Sequence, residues 1–201
     1  MSFRIEEKIL IGNNQVIEFK KIYQKKHLKR LYKPRVIRSL YFENINNDIY
    51  NNSIEGTLPR KKIRVRSYPE DEKKEFYLEK KISSVEGRFK QKKKINNLNL
   101  EKIIKYGFND NVYGCCKPLI YVEYNRHYYM LNKTRLTHDN NIRYYLFKSR
   151  IVKSEENQIF EIKTNYEADL DEINTNFPMN RTRFSKYCNG FEKFFKKIWF
   201  Y

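Results

Sequence analysis

The stretch RKKIRVRSY, Arg60 to Tyr68, sets Arg60, Lys62, Arg64 and Arg66 on alternate positions, with Ile63 and Val65 between them. Alternation is the period of a β-strand, whose successive side chains point to opposite faces. One face of this strand is therefore a row of like charge and the other is apolar. A water-facing strand of an antiparallel sheet usually mixes signs on its polar side, so an all-cationic row asks for an anion.

The flanking sequence extends the pattern in both directions. VIRSLYFEN (36–44) and EFYLEKKI (75–82) read as strands on either side, separated by Asn-, Gly-, Pro- or Glu/Lys-rich turns. Phe3 to Ile11 alternates as a first strand, and LIYVEYNRHYYML (119–131), KTRLTHD (133–139), IRYYLFKS (142–149) and QIFEIKTNY (158–166) continue the series. NNQVIEFKKIYQKKHLKRLY (13–32) predicts a basic amphipathic helix, with Val16, Phe19, Ile22 and Tyr23 on one side, that ends before Pro34. LNLEKIIKYG (98–107) predicts a short helix closed by Gly107, and DNVYGCCKP (110–118) a loop. The last stretch, 181–201, carries Phe184, Tyr187, Phe191, Phe194, Phe195 and Ile198 at helical spacing, with Gly190 against the pattern. About eight strands with helices at both ends and one in the middle favour an α+β fold with a large antiparallel sheet or barrel. With 201 residues, one domain over 1–201 is expected.

The chain has 42 Lys+Arg against 24 Asp+Glu, a formal charge of +18. An anionic partner follows from that imbalance: nucleic acid, an acidic membrane surface or a phosphate-rich small molecule. Lysine excess accompanies an Asn-, Ile- and Tyr-rich composition and says little by itself, whereas arginines at period 2 are informative. Three cysteines, two of them adjacent, form neither a disulfide framework nor a CxxC metal site, which predicts a reducing, cytoplasmic setting. MSFRIEEKILIG is charged from residue 4, so it predicts no signal peptide, and no apolar run approaches the ~18 residues of a membrane span.

Sorted by face, the strands repeat one motif. Glu6 and Lys8, Glu79 and Lys81, and Glu161 and Lys163 are Glu-x-Lys pairs, set beside the Arg64 and Arg66 pair. Arg135, Thr137 and Asp139 oppose Leu136, and Arg126 lies between Tyr124 and Tyr128. Closing the sheet with these faces inward would make a tunnel lined by cations and several carboxylates. Such a lining is costly to desolvate unless compensated. A phosphate chain with a divalent metal would compensate it: arginine forks grip phosphate oxygens, lysines act as point charges, and carboxylates hold Mg²⁺ or Mn²⁺.

SLYFEN (39–44), RKKIRVRSY, FYLEKKI, VEYNRHYY, KTRLTHD, FEIKTNYEADL and RFSKYCNGF occur in the order in which similar motifs occur in the VTC domain, the polyphosphate polymerase module of the vacuolar transporter chaperone family. The resemblance spans nearly the whole chain. It implies the triphosphate tunnel metalloenzyme fold of the CYTH-like superfamily, a closed antiparallel β-barrel enclosing a basic tunnel. It implies that Lys8, Arg64, Arg66, Lys81, Arg126, Arg135 and Lys163 line the tunnel and act on the phosphates, with Lys62, Lys90 and Lys186 as further substrate contacts. Glu161 is implied as principal metal ligand, with Glu6 and Glu79 as helpers. The implied partners are ATP and polyphosphate, and the implied reaction is transfer of the γ-phosphoryl group onto a growing chain; hydrolysis of a triphosphate, or binding of a polyanion without turnover, are the alternatives. The superfamily's opening Glu-x-Glu-x-Lys stands here as Arg-x-Glu-x-Lys, with Arg4 in place of the first carboxylate. The chain end after the terminal helix predicts a free-standing module.

Other features read more plainly. His27, His127 and His138 are scattered without a carboxylate or Cys at ligand spacing. Cys115 and Cys116 read as an incidental loop pair, RFKQKKK (88–94) as a basic face, and YEADLDEI (166–173) as an acidic surface segment.

Overall fold

The structure is a computed structural model that describes residues 4–25, 28–132, 134–165 and 170–196. Phe3, His27 and Ile198, and the side chains of Arg4, Ile22 and Tyr23, lie outside the described residues. Strands β1 (Arg4–Ile11), β2 (Lys29–Glu43), β3 (Arg60–Ser67), β4 (Phe76–Ser84), β5 (Gly87–Ile95), β6 (Phe108–Asp110), β7 (Gly114–Leu131), β8 (Thr134–Leu146), β9 (Val152–Ser154) and β10 (Gln158–Asn165) form one sheet. Helices α1 (Val16–Lys25), α2 (Asp48–Glu55), α3 (Asn97–Tyr106), α4 (Leu170–Asn176) and α5 (Lys186–Phe195) complete the described elements. None of the described helices is long and apolar enough to cross a membrane.

The hydrogen-bonded strand order is β1-β10-β8-β7-β2-β3-β4-β5, with β6 pairing β7 and β9 pairing β8. The path has two ends, so the sheet is open. This corrects the expected closed barrel of about eight strands around a tunnel: there are ten strands among the described residues, and β5 does not return to β1. Side-chain alternation has period 2 in open and closed sheets alike, so no strand pattern could decide closure. The outer side of β1 meets a different partner. Ile9 bridges Arg181, and the Thr182 amide donates to the Lys8 carbonyl at 2.8 Å. At the other end, β5 carries lysines on both faces, a charge pattern typical of an exposed edge strand.

Several element expectations shift for local reasons. The first helix stops at Lys25 and β2 begins at Lys29, with Pro34 inside that strand rather than beyond a helix. The expected loop at 110–118 is the turn of a hairpin between β6 and β7, and the two runs at 133–149 are one strand, β8. β5 escapes a reading by face because lysines occupy both of its sides. Asn96 caps α3 by accepting from the Asn99 amide, and Gly107, at φ 92, ends it, as the glycine predicts.

The chain packs as two compact units, each assembled from separated stretches. The first comprises Met1–Arg35, Tyr124–Ile142 and Ser154–Phe184. Its core joins Ile9, Ile11, Phe19, Leu136, Phe160, Ile162, Ile173 and Phe177, the apolar sides of β1, β8 and β10 covered by α1 and α4. Phe19 meets Phe160 edge-on at 4.7 Å between centroids.

The second unit comprises Val36–Glu123, Arg143–Lys153 and Ser185–Tyr201. Ile63 and Val65 are buried there, on the side of β3 away from its arginines. Tyr41 stacks on Tyr187 of α5, and Tyr50 of α2 stacks on Phe191 of α5 at 4.0 Å. Glu43, buried at the end of β2, accepts from the amides of Asn44, Ile49 and Tyr50 and from the Tyr187 hydroxyl. That carboxylate thus satisfies amides that α2 leaves open at its start and ties α5 to β2.

Candidate anion-binding faces

In the second unit, antiparallel pairing of β3, β4 and β5 lines residues up in rows across one face. Lys62 faces Lys81, which faces Lys90; Arg64 faces Glu79, which faces Lys92; Arg66 faces Tyr77, which faces Lys94. β2 adds Tyr41 opposite Arg64 and Ser39 opposite Arg66. Like charges placed directly opposite one another destabilise a sheet, and the first row holds three lysines and no carboxylate. Burial pushes the Lys62 ammonium below its usual range, and neighbouring Lys81 adds to the effect. Lys62 donates to the Ser185 hydroxyl at 2.8 Å, just before α5. Lys90 is likewise lowered by burial, against the opposing pull of Glu79.

Glu79 sits at the centre of this face, 1% exposed. Its Oε2 accepts from Arg64 Nε at 2.8 Å and Nη2 at 2.7 Å, with Arg66 Nε at 3.8 Å, while Lys90 Nζ lies 2.6 Å from Oε1. Burial alone would raise its pKa; Arg64, Arg66 and Lys90 outweigh burial and hold it at about 2. Arg64 also donates to the Tyr41 hydroxyl at 2.8 Å, and Arg66 to the Ser39 hydroxyl at 3.1 Å. Sequence reasoning missed Tyr41 and Ser39 as supports of the arginines. The signal was their alternate spacing in SLYFEN, which sets both on one face of β2.

The first unit carries a different kind of face. Across β1, β10 and β8, Glu6 faces Lys163, which faces Arg135; Lys8 faces Glu161, which faces Thr137. Opposite charges meet in both rows, a stabilising arrangement, while Lys163 also faces the like charge of Arg135. Arg126 on β7 makes a two-point ion pair with buried Asp139, Nε to Oδ1 and Nη2 to Oδ2, each at 2.6 Å. Burial would lower the Arg126 pKa, but Asp139 raises it well above its usual value. Glu161 Oε2 lies 3.4 Å from Lys163 Nζ and 3.7 Å from Arg126 Nη2. Lys8 Nζ donates to the Phe184 carbonyl at 2.5 Å, and burial lowers the Lys163 pKa despite Glu161. Arg135 Nε is buried without a hydrogen-bond partner. A buried donor left unpaired carries a desolvation cost, which an incoming acceptor would relieve.

The carboxylates differ in their fitness for a metal. Among the described residues no group of three or more His, Cys, Asp or Glu gathers as a ligand cluster. Mg²⁺ and its like are commonly held by one or two carboxylates together with substrate phosphates, and Glu161, with Glu6 on the same face of the next strand, fits that sparse requirement. Asp139 is engaged by Arg126, and the oxygens of Glu79 by three cations.

The remaining sequence candidates are placed as follows. Lys186 opens α5 directly after its cap, Ser185, which accepts from the Cys188 amide. His138 lies on the side of β8 opposite Thr137, beside Phe19, and pairs with Gln158 at 2.7 Å. Cys116 is buried and its thiol is pushed up to about 12 by burial, well away from a reactive thiolate. Asp110 accepts from Lys61 and Lys80 and from the Val112 amide, bracing the turn after β6.

A family profile for the VTC domain matches residues 3–195. Several solved structures share the fold. A candidate adenylate cyclase from Bacillus halodurans superposes with a TM-score of 0.61 at 13% identity, over 97% of this chain and 98% of that one. The PH1819 protein of Pyrococcus horikoshii gives 0.60 at 15% identity, over 95% and 99%. A second candidate adenylate cyclase, from Vibrio parahaemolyticus, gives 0.52 at 10%, over 92% and 95%. No curated protein matches the chain in sequence.

Proposed function

The chain belongs to the VTC domain family, and we propose that it is a polyphosphate polymerase, moving the γ-phosphoryl group of ATP onto the end of a polyphosphate chain. The observation that carries this reading is the concentration of cations on one face of the second unit, where the row Lys62, Lys81 and Lys90 adjoins Arg64 and Arg66 around a single buried carboxylate, Glu79. A sheet bears that repulsion at a cost, and a polyanion with closely spaced charges removes it.

Each face is assigned by its own residues. Arg64 and Arg66, held in place by Tyr41 and Ser39, present guanidinium forks to phosphate oxygens, while Lys62, Lys81 and Lys90 supply point charges. In the first unit, Arg135 Nε, Arg126 and Lys163 provide donors, and Lys8 flanks Glu161. Glu161, with Glu6 nearby, would hold a Mg²⁺ or Mn²⁺ ion, which when bound neutralises charge on the phosphates and orients them. The bond from the γ-phosphorus to the β–γ bridging oxygen breaks, ADP leaves, and a terminal oxygen of the acceptor chain takes the phosphoryl group. Fixed cations stabilise the charge that develops, the main demand of phosphoryl transfer. Lys186, at the start of α5, is assigned as a further contact for the substrate.

Incubation of purified protein with γ-labelled ATP and Mn²⁺, followed by gel separation, tests the proposal. A ladder of labelled polyphosphate is expected. Free phosphate without a ladder would overturn polymerisation in favour of hydrolysis, and the absence of any turnover would leave a polyanion binder.

A further inference from the structure

Three buried carboxylates of the second unit are held in different ways. Glu43 accepts from three backbone amides and a tyrosine hydroxyl. Asp110 accepts from a backbone amide and two lysines. Both are tied to the main chain and act as braces. Glu79 is held by side-chain cations alone: Arg64, Arg66 and Lys90. Those cations sit on the face that carries the lysine row.

We infer that Glu79 is a built-in competitor for phosphate, a carboxylate that occupies the cations of this face until a polyanion displaces it. The inference rests on the reading of this face as phosphate-binding. Its geometry is that of a substitute anion. One carboxylate oxygen takes the Arg64 fork and the other takes the Lys90 ammonium, the contacts that two oxygens of a phosphate chain would make. Without Glu79 the Lys62–Lys81–Lys90 and Arg64–Lys92 rows would hold no carboxylate, and the unliganded sheet would suffer more of their mutual repulsion. With it the sheet is stable when empty, and a ligand must offer more negative charge than one carboxylate to take over. The residue therefore sets a threshold that favours long or highly charged phosphates over singly charged anions.

Calorimetric titration of inorganic tripolyphosphate, with chelator present to exclude metal, separates this role from alternatives. Glu79→Gln is expected to bind tripolyphosphate about tenfold more tightly than the unaltered protein, while its unliganded melting temperature falls and is restored by the ligand. Glu79→Asp keeps the charge but is too short to reach Arg64 and Lys90 together, and should bind more tightly by a smaller factor; it carries the test if the Gln variant does not fold. Glu101→Gln, an exposed change on α3 with the same effect on net charge, should leave affinity unchanged. Equal or weaker binding by the Glu79 variants would overturn the inference, as would an equal gain from Glu101→Gln. Failure of the unaltered protein to bind tripolyphosphate would instead overturn the phosphate reading of the face itself.

Discussion

Arg126 and Asp139 pair fork to carboxylate, with both hydrogen bonds at 2.6 Å and the carboxylate wholly buried. Removing the charge of one partner leaves the other in a low-dielectric site without compensation. Asp139→Asn should therefore destabilise the protein by about 4 kcal/mol, the range for breaking a buried pair. Denaturant unfolding followed by circular dichroism measures this, and a loss below ~1 kcal/mol would contradict the picture.

Glu161 faces Lys8 and lies near Lys163 and Arg126, and it is the carboxylate assigned to the metal. Glu161→Ala should abolish metal-dependent turnover of ATP while leaving a folded protein with an unchanged far-ultraviolet spectrum. Full activity in that variant would remove Glu161 from the role.

Lys81 stands in the middle of the three-lysine row. Lys81→Met keeps the apolar stem and deletes the charge, so tripolyphosphate affinity should fall about tenfold. Melting curves with and without tripolyphosphate read this as a smaller ligand-induced rise, and an undiminished rise would remove Lys81 from the binding face.

Acid sensitivity follows from Glu79 and Asp110, whose pKa values are held at about 2 from ordinary values of 4.5 and 3.8. Burial opposes the shift in both; the surrounding cations, joined for Asp110 by the Val112 amide, outweigh it. A carboxylate with a depressed folded-state pKa contributes stability that is fully present above its unfolded value and lost as pH falls through the folded one. Stability should accordingly drop between about pH 4.5 and pH 2. In Glu79→Gln the slope through this window should be visibly shallower, as measured by urea unfolding at successive pH values.

Gly190 lies within α5, where a β-carbon would come 2.6 Å from Cδ1 and 3.1 Å from Cε1 of Tyr144, a fully buried ring. Gly190→Ala should cost about 2 kcal/mol by overpacking, although alanine is the better helix former. A stabilised variant would show that the ring can move aside.

How much of this was legible in the chain depends on the range of the interaction that decides it. Alternation in RKKIRVRSY, FYLEKKI and FEIKTN placed Arg64, Arg66, Glu79, Glu161 and Lys163 on the charged sides of strands, because side-chain direction along a strand is a local property. The helix at 97–106 was equally legible, since its cap and its terminal glycine act within a few residues. Gly190 shows the reverse case: it argued against a helix locally, and the reason for its presence is a ring from a distant strand.

By itself, then, the sequence determined which faces are charged, and through its motifs the family. Tertiary structure decided which charges meet. Register made Lys62, Lys81 and Lys90 a row, matched Lys8 with Glu161 and Glu6 with Lys163, and surrounded Glu79 with cations. It also left the sheet open at β1 and β5. Pairing joins residues far apart in the chain and is selected by the packing of the apolar sides, an interaction that alternation within one strand does not encode.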